Sequence, residues 1–234
     1  MQGKRGLVMG VANDHSIAWG IAKTLHAHGA EMAFTYQDEP FGKRVRPLAE
    51  GLGAKLIVQC DAAKEEDLDR VFSQLKKEWG RIDFVVHAIA YSNKDELKGH
   101  YVDTSLGNFL NSLHISCFSF TSIARRAKDL MAHGGSLITL SYLGAERVMP
   151  NYNVMGVVIG NARHTFKFTT KSSPLGRPVT LEELGNTALY FLSDLSSAVT
   201  GENHYVDCGF NVIGMPRQET FEEIAANGNS NGEH

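Results

Sequence analysis

Five short runs of β-forming residues, interleaved with stretches of helical spacing, constrain the fold of this 234-residue chain more than any other feature. The runs Arg5–Met9, Glu31–Tyr36, Lys55–Gln59, Asp83–Ala88 and Ser136–Ser141 are short, and they are apolar at consecutive positions. That is the pattern of parallel strands covered by helices on both faces. Between them, Ile17, Ile21, Ala22 and Leu25 form one helical stripe that closes at Gly29. Leu68, Val71, Phe72, Leu75 and Trp79 form another that closes at Gly80. Glycine is favoured just past a helix end because it adopts the left-handed conformation without strain. A long pattern from Leu106 to Met131 carries Phe109, Leu113, Phe118, Phe120 and Ile123. Thr180 and Glu183 stand at the spacing of a capping box ahead of LEELGNTALYFL. The alternation predicts an α/β fold with a doubly wound parallel sheet, and a last strand is expected at His204–Asp207.

Composition narrows the class further. With 43% hydrophobic and 21% charged residues, the chain has the material for one ordinary core. A net charge of -3 gives no nucleic-acid footprint and no polybasic membrane patch, and no apolar run approaches the roughly 18–20 residues that span a bilayer. The opening MQGKRGLVMG passes directly into a strand pattern and lacks the apolar core of a signal peptide. Cys60, Cys117 and Cys208 are far apart and odd in number, so neither a disulfide framework nor a zinc site is indicated. They read as reduced, mostly buried thiols in a cytoplasmic protein. One domain is expected over residues 1–217, with 218–234, QETFEEIAANGNSNGEH, as a polar, disordered tail.

The turn after the first strand reads Gly10-Val-Ala-Asn-Asp-His-Ser16-Ile17-Ala18. It lies where a dinucleotide pyrophosphate meets helix N-terminal amides, although it is not G-x-G-x-x-G and also suits a simply capped helix. The second strand ends at Gln37, followed by Asp38 and Glu39. Acidic residues there disfavour a 2′-phosphate, so the balance points to NAD(H) over NADP(H). The third strand ends at Asp61-Ala62 and the fourth at His87-Ala88-Ile89-Ala90-Tyr91. Asp61 suits either an acceptor for an adenine amino group or the N-cap of the next helix.

The segment after the fifth strand, LSYLGAE and then MPNYNVMGV, resembles the catalytic segment of the bacterial enoyl-acyl-carrier-protein reductases. These are a divergent branch of the short-chain dehydrogenase/reductases. The Gly10…Ser16-Ile17-Ala18 turn, the FTYQ strand, QCD and the closing SDLSSAVTGENHYVDCGF resemble the same family. The resemblance implies a Rossmann-type single domain that reduces the 2,3 double bond of a trans-2-enoyl thioester carried on acyl carrier protein. By it, Gly10, Ser16, Ile17, Gln37, Asp61, Ala62 and Ile89 would contact NADH. Tyr152 would hydrogen-bond the thioester carbonyl, Tyr142 would line the acyl pocket, and Ser92 would lie beside the substrate. It also implies a homotetramer packed through the 106–131 helix and the helix that carries Tyr152.

One departure stands out. The family has a lysine seven residues after the tyrosine, and here that position is Ile159. NVMGV joins directly to VIGNARHTF, leaving 23 residues from Val157 to Val179. A helix of roughly 11 residues and a strand of about 5, with their connections, barely fit in that length. An internal deletion is expected to have removed most of the tyrosine helix, an interior strand and much of the substrate lid, and so to have depleted the far edge of the sheet. Phe118 and Phe120 would then be exposed. Lys167 and Lys171 are the nearest replacements for the lysine. Alternatives that stay open are a non-catalytic dinucleotide-binding remnant and another short-chain dehydrogenase, the latter disfavoured by LSYLGAE.

Overall fold

The structure is a computed structural model that describes residues 1–146, 153–154 and 172–214. Five strands form one parallel sheet in the order β3-β2-β1-β4-β5. They are β1 (Arg5–Met9), β2 (Glu31–Tyr36), β3 (Ile57–Gln59), β4 (Phe84–His87) and β5 (Ser136–Thr139). The order agrees with the doubly wound expectation. The three later runs are trimmed at their ends relative to the sequence pattern.

Alternation along the strands divides the core in two. Val8, Phe34, Phe84 and Val86 face a layer made by Trp19, Ile21, Leu25, Val45, Ala49, Ala188 and Leu192. These come from α1 (Ile17–Ala27), α2 (Glu39–Gly51) and α6 (Leu181–Leu192). Leu7, Met9, Ala33 and Val85 face the opposite layer of Leu68, Val71, Leu75, Ile123 and Ala127. That layer is supplied by α3 (Glu65–Trp79) and α5 (Ser119–Ala127). The two layers explain why the strands read as continuous apolar runs. α1 and α6 approach closely: a Cβ on Gly185 would lie 2.1 Å from Thr24 Oγ1. Thr180 and Glu183 form the reciprocal capping box that opens α6.

The long 106–131 pattern is helical but not uniform. α4 (Leu106–Leu113) passes through a π-helical turn, His114–Phe118, into α5 and then a short 3-10 turn, Lys128–Leu130. At that turn the Ser119 hydroxyl donates to Ile115 O at 2.6 Å and meets the His87 ring at 2.8 Å. Single π-helical turns of this kind occur inside α-helices and are one source of their bends.

The expected strand at His204–Asp207 is not formed; residues 202–206 run without a ladder. The physical reason is the missing neighbour. A strand exists only as a pairing, and among the described residues β5 ends the sheet on this side. The segment is held by side chains instead: Tyr205 Oη and Asn203 Nδ2 donate to Glu146 at 2.5 and 2.9 Å. The cysteines also differ from expectation. Among the described residues none of the three is in a disulfide, but only Cys60 is buried, where burial pushes its thiol up to about 12; Cys117 is exposed. The expected polar tail from 218 lies outside the described residues, as do Ile159, Lys167 and Lys171.

Candidate functional site

The sheet order reverses direction between β1 and β4, and ligands of open α/β sheets bind above the carboxyl ends of strands at such a point. The two strand ends are held together there by Ala88 N donating to Met9 O at 3.0 Å. Gly10 sits directly against this contact. Its φ is +98°, and a Cβ on it would lie 2.0 Å from the carbonyl oxygen of Ala88. Only glycine fits, so the crevice floor is bare backbone.

Ser16 folds the loop above that floor. Its hydroxyl accepts from the amides of Ala12 and Asn13 at 3.0 and 2.9 Å and donates to Asn13 O. The side chain braces the loop and makes no cap bond to the helix. The amides of Ile17 and Ala18 open α1, and the first amides of a helix have no partner within it. No acidic side chain stands in the first turn. The loop, the helix end and the half-buried Ile89 on the β4 side therefore stand at the carboxyl ends of β1 and β4, with helix amides suited to an anion.

Farther along the same edge, Gln37 is exposed at the end of β2, and Gln59 Nε2 reaches its carbonyl at 3.4 Å. Asp61 is half-buried, and Ala62 beside it is buried. The N-cap of α3 is Lys64, not Asp61. Asp61 instead accepts from Ala63 N at 3.1 Å in a tight turn, with its own amide bound to Asp67 Oδ2 at 2.8 Å. Asp38 caps α2 by accepting from Phe41 N at 3.1 Å. Glu39 is paired with Arg46 at 2.8 Å, which holds its carboxyl below the usual range. The Arg46 guanidinium lies over the Tyr36 ring and bonds its hydroxyl.

The loops after β4 and β5 emerge side by side because these strands are paired. Ser92 donates to Asn108 Oδ1 at 3.2 Å, and the same oxygen accepts from Asn93 N at 2.9 Å and from Ser112 at 3.3 Å. Asn108 thus ties the β4 loop to α4, and Ser92 points its hydroxyl at that helix. Tyr142 is half-buried directly after β5. Asn153 donates through Nδ2 to Glu96 O and Lys98 O at 2.8 and 3.3 Å, so the residue after Tyr152 is anchored to the β4 loop. Tyr152 itself lies outside the described residues. His87, missed in the sequence, is fully buried at the end of β4. Its ring nitrogens meet Thr139 Oγ1 at 2.9 Å and Ser119 Oγ at 2.8 Å, and burial lowers it to about 4.

The family described as Enoyl-(Acyl carrier protein) reductase matches residues 10–160 and 158–211. The chain belongs to that family. Enoyl-(acyl-carrier-protein) reductase (NADH) 2 of Rhizobium meliloti (strain 1021) is 49% identical over 258 residues, covering 94% of this chain and 96% of that protein. The enoyl-(acyl-carrier-protein) reductase of Anaplasma phagocytophilum, solved in complex with NAD, is 50% identical. It covers 93% of this chain and 97% of its own, with a TM-score of 0.89. FabI of Candidatus Liberibacter asiaticus is 46% identical at a TM-score of 0.88, covering 92% and 98%.

Within the reductase family this chain is short. An alignment 258 residues long exceeds its 234 residues, so at least 24 of the aligned positions have no residue here. The family match is broken into two pieces that meet at 158–160. Ile159, where the resemblance leads one to expect a lysine, falls at that junction.

Proposed function

We propose that this chain is an NADH-dependent reductase of trans-2-enoyl acyl-carrier-protein thioesters in fatty-acid synthesis, slowed by the loss of its lysine segment. The single observation that carries the reading is family membership over nearly the whole chain. The crevice fits the cofactor on its own terms: a floor that a Cβ would fill, a helix end with no acidic first-turn residue, and an acidic second-strand end.

When bound, NADH supplies the hydride for the β-carbon of the enoyl group. Gly10 keeps the crevice open to backbone, and the loop braced by Ser16 presents α1 amides to the pyrophosphate. Ile17 and Ile89 border the cofactor on either side of that crevice. Gln37, Asp61 and Ala62 line the adenosine end. Tyr152 donates a hydrogen bond to the thioester oxygen as negative charge develops there, which is the action of an oxyanion-hole donor. Tyr142 borders the acyl chain, and Ser92, fixed by Asn108, holds the β4 loop beside the substrate. Ile159 offers no charge to the tyrosine and no donor to a ribose.

The domain spans 1–217 and acts in the cytoplasm. Its assembly is a weakened form of a tetramer, using the α4–α5 face where Leu106, Leu110 and Phe118 are exposed. Phe120 does not join that face; its ring packs on His87 with centroids 5.4 Å apart. A second reading, a dinucleotide-binding remnant without turnover, is favoured by Ile159 and the missing positions. NADH oxidation with a crotonyl thioester, run beside NADH binding by fluorescence, separates them: binding with slow turnover supports the enzyme, binding with none supports the remnant.

A further inference from the structure

A side-chain tie joins the exits of β4 and β5. His87 and Thr139 are register partners at the ends of these parallel strands. Leu140 N donates to His87 O at 3.3 Å, and among the described residues no backbone bond joins the two exits beyond it. From that point one exit runs to Ile89 and the other to Tyr142. The His87 ring bridges them: Nδ1 meets Thr139 Oγ1 at 2.9 Å, and Nε2 meets Ser119 Oγ at 2.8 Å.

The protons of this network can be assigned. Ser119 has one hydroxyl proton, and it goes to Ile115 O at 2.6 Å. Toward His87 the Ser119 oxygen can therefore only accept, so Nε2 carries the ring proton. Burial keeps the ring uncharged near neutral pH, which leaves Nδ1 bare to accept from the Thr139 hydroxyl. The π-helical turn reaches the same strand exit a second time. Ser116 Oγ accepts from Tyr91 N at 3.0 Å and donates to Tyr91 O at 3.3 Å. His87, Ser116 and Ser119 are all buried, and Phe120 packs on the ring.

We propose that His87 is a positioning residue for the reductase reaction. As the Nε2–H tautomer, bound to Thr139 and Ser119, it sets the exits of β4 and β5 relative to each other, and so Tyr142 relative to Ile89. The inference rests on the reductase reading, which gives Ile89 the cofactor and Tyr142 the acyl chain. The pyrophosphate floor is held separately, by Ala88 N on Met9 O. Breaking the tie should therefore spare NADH binding and slow hydride transfer, because nicotinamide and acyl chain lose their common frame. A role in folding alone would lower both together.

Two measurements on the full chain test this. Long-range proton–nitrogen NMR of the unaltered chain, with the His87 signal assigned by its loss in His87→Gln, should show a protonated Nε2 and a bare Nδ1. Thr139→Val keeps the side chain's shape and removes the hydroxyl. Its turnover of a crotonyl thioester should fall at least about tenfold, since misplacement of about 1 Å can cost 10²-fold. Its NADH affinity by fluorescence should stay within about twofold, and Thr139→Ser should restore turnover. A proton on Nδ1 overturns the proposal, as does a Thr139→Val chain with unchanged turnover, one that loses NADH binding as well, or a Thr139→Ser chain no better than the valine. Those results leave the reductase reading standing. An unaltered chain that binds NADH without any turnover defeats that reading and this proposal with it.

Discussion

Gly10→Ala places a methyl group where the fold has no room. The new Cβ would stand 2.0 Å from the carbonyl oxygen of Ala88 and 2.5 Å from its carbon. Both are backbone atoms at the end of a central strand, so neither swings aside as a side-chain tip would. Two costs follow. An alanine held at φ near +98° is strained by about 1–3 kcal/mol. Moving Ala88 away stretches its 3.0 Å hydrogen bond to Met9 O, worth about 1 kcal/mol. The expected loss of stability is about 2–4 kcal/mol, read from urea unfolding. NADH affinity, read from fluorescence titration on the still-folded variant, should fall at least about tenfold, because the same methyl fills the pyrophosphate floor. The two readouts refute different parts. An unchanged unfolding midpoint means the β1/β4 contact is not as tight as described. A destabilised variant that binds NADH normally means the cofactor lies elsewhere.

Three further outcomes are expected. His87 is held at about 4 against its ordinary 6.5 by burial. The unfolded chain therefore takes up a proton between those pH values that the native chain refuses. Its contribution is complete above about pH 6.5 and is lost as pH falls toward 4, about 3 kcal/mol in all. Urea midpoints measured from neutral to acid pH should show this slope, and His87→Gln should flatten it. NADH should bind a few-fold tighter than NADPH, since like charges near a surface cost on the order of 1 kcal/mol. The margin should shrink in Glu39→Gln, which releases Arg46; equal affinities at low salt in the unaltered chain would overturn the assignment. Thr180→Ala removes one half of the α6 capping box and should cost about 1 kcal/mol in thermal or urea unfolding.

The strands were legible because a parallel sheet covered on both faces demands apolar runs, and Arg5–Met9 and Glu31–Tyr36 were found at their observed bounds. His204–Asp207 failed for the complementary reason. Its composition suits a strand, but pairing needs a neighbour, and composition cannot supply one. At the site, Gly10 was visible because a glycine between strand and helix has few other uses. The bracing role of Ser16 was not, since any serine before a helix reads first as a cap. His87 and Asn108 were invisible: the partners of His87 lie 52 and 32 residues away, and Ser92 is 16 from Asn108. The π-helical turn escaped because its spacing differs from an α-helix by a single residue.

The most direct test of the central claim is the rate of NADH-dependent reduction of a crotonyl thioester by this chain and by one carrying the family's missing segment, lysine included. The chain as it stands should bind NADH and turn over far below ordinary rates of about 1–10³ per second, because it lacks a charge-assisted contact worth roughly 1.5–3 kcal/mol. The repaired chain should recover activity and lose most of it again with Tyr152→Phe. Ordinary turnover by the unaltered chain would contradict the account of the deletion. A repaired chain that binds NADH but reduces no enoyl thioester would contradict the assigned reaction.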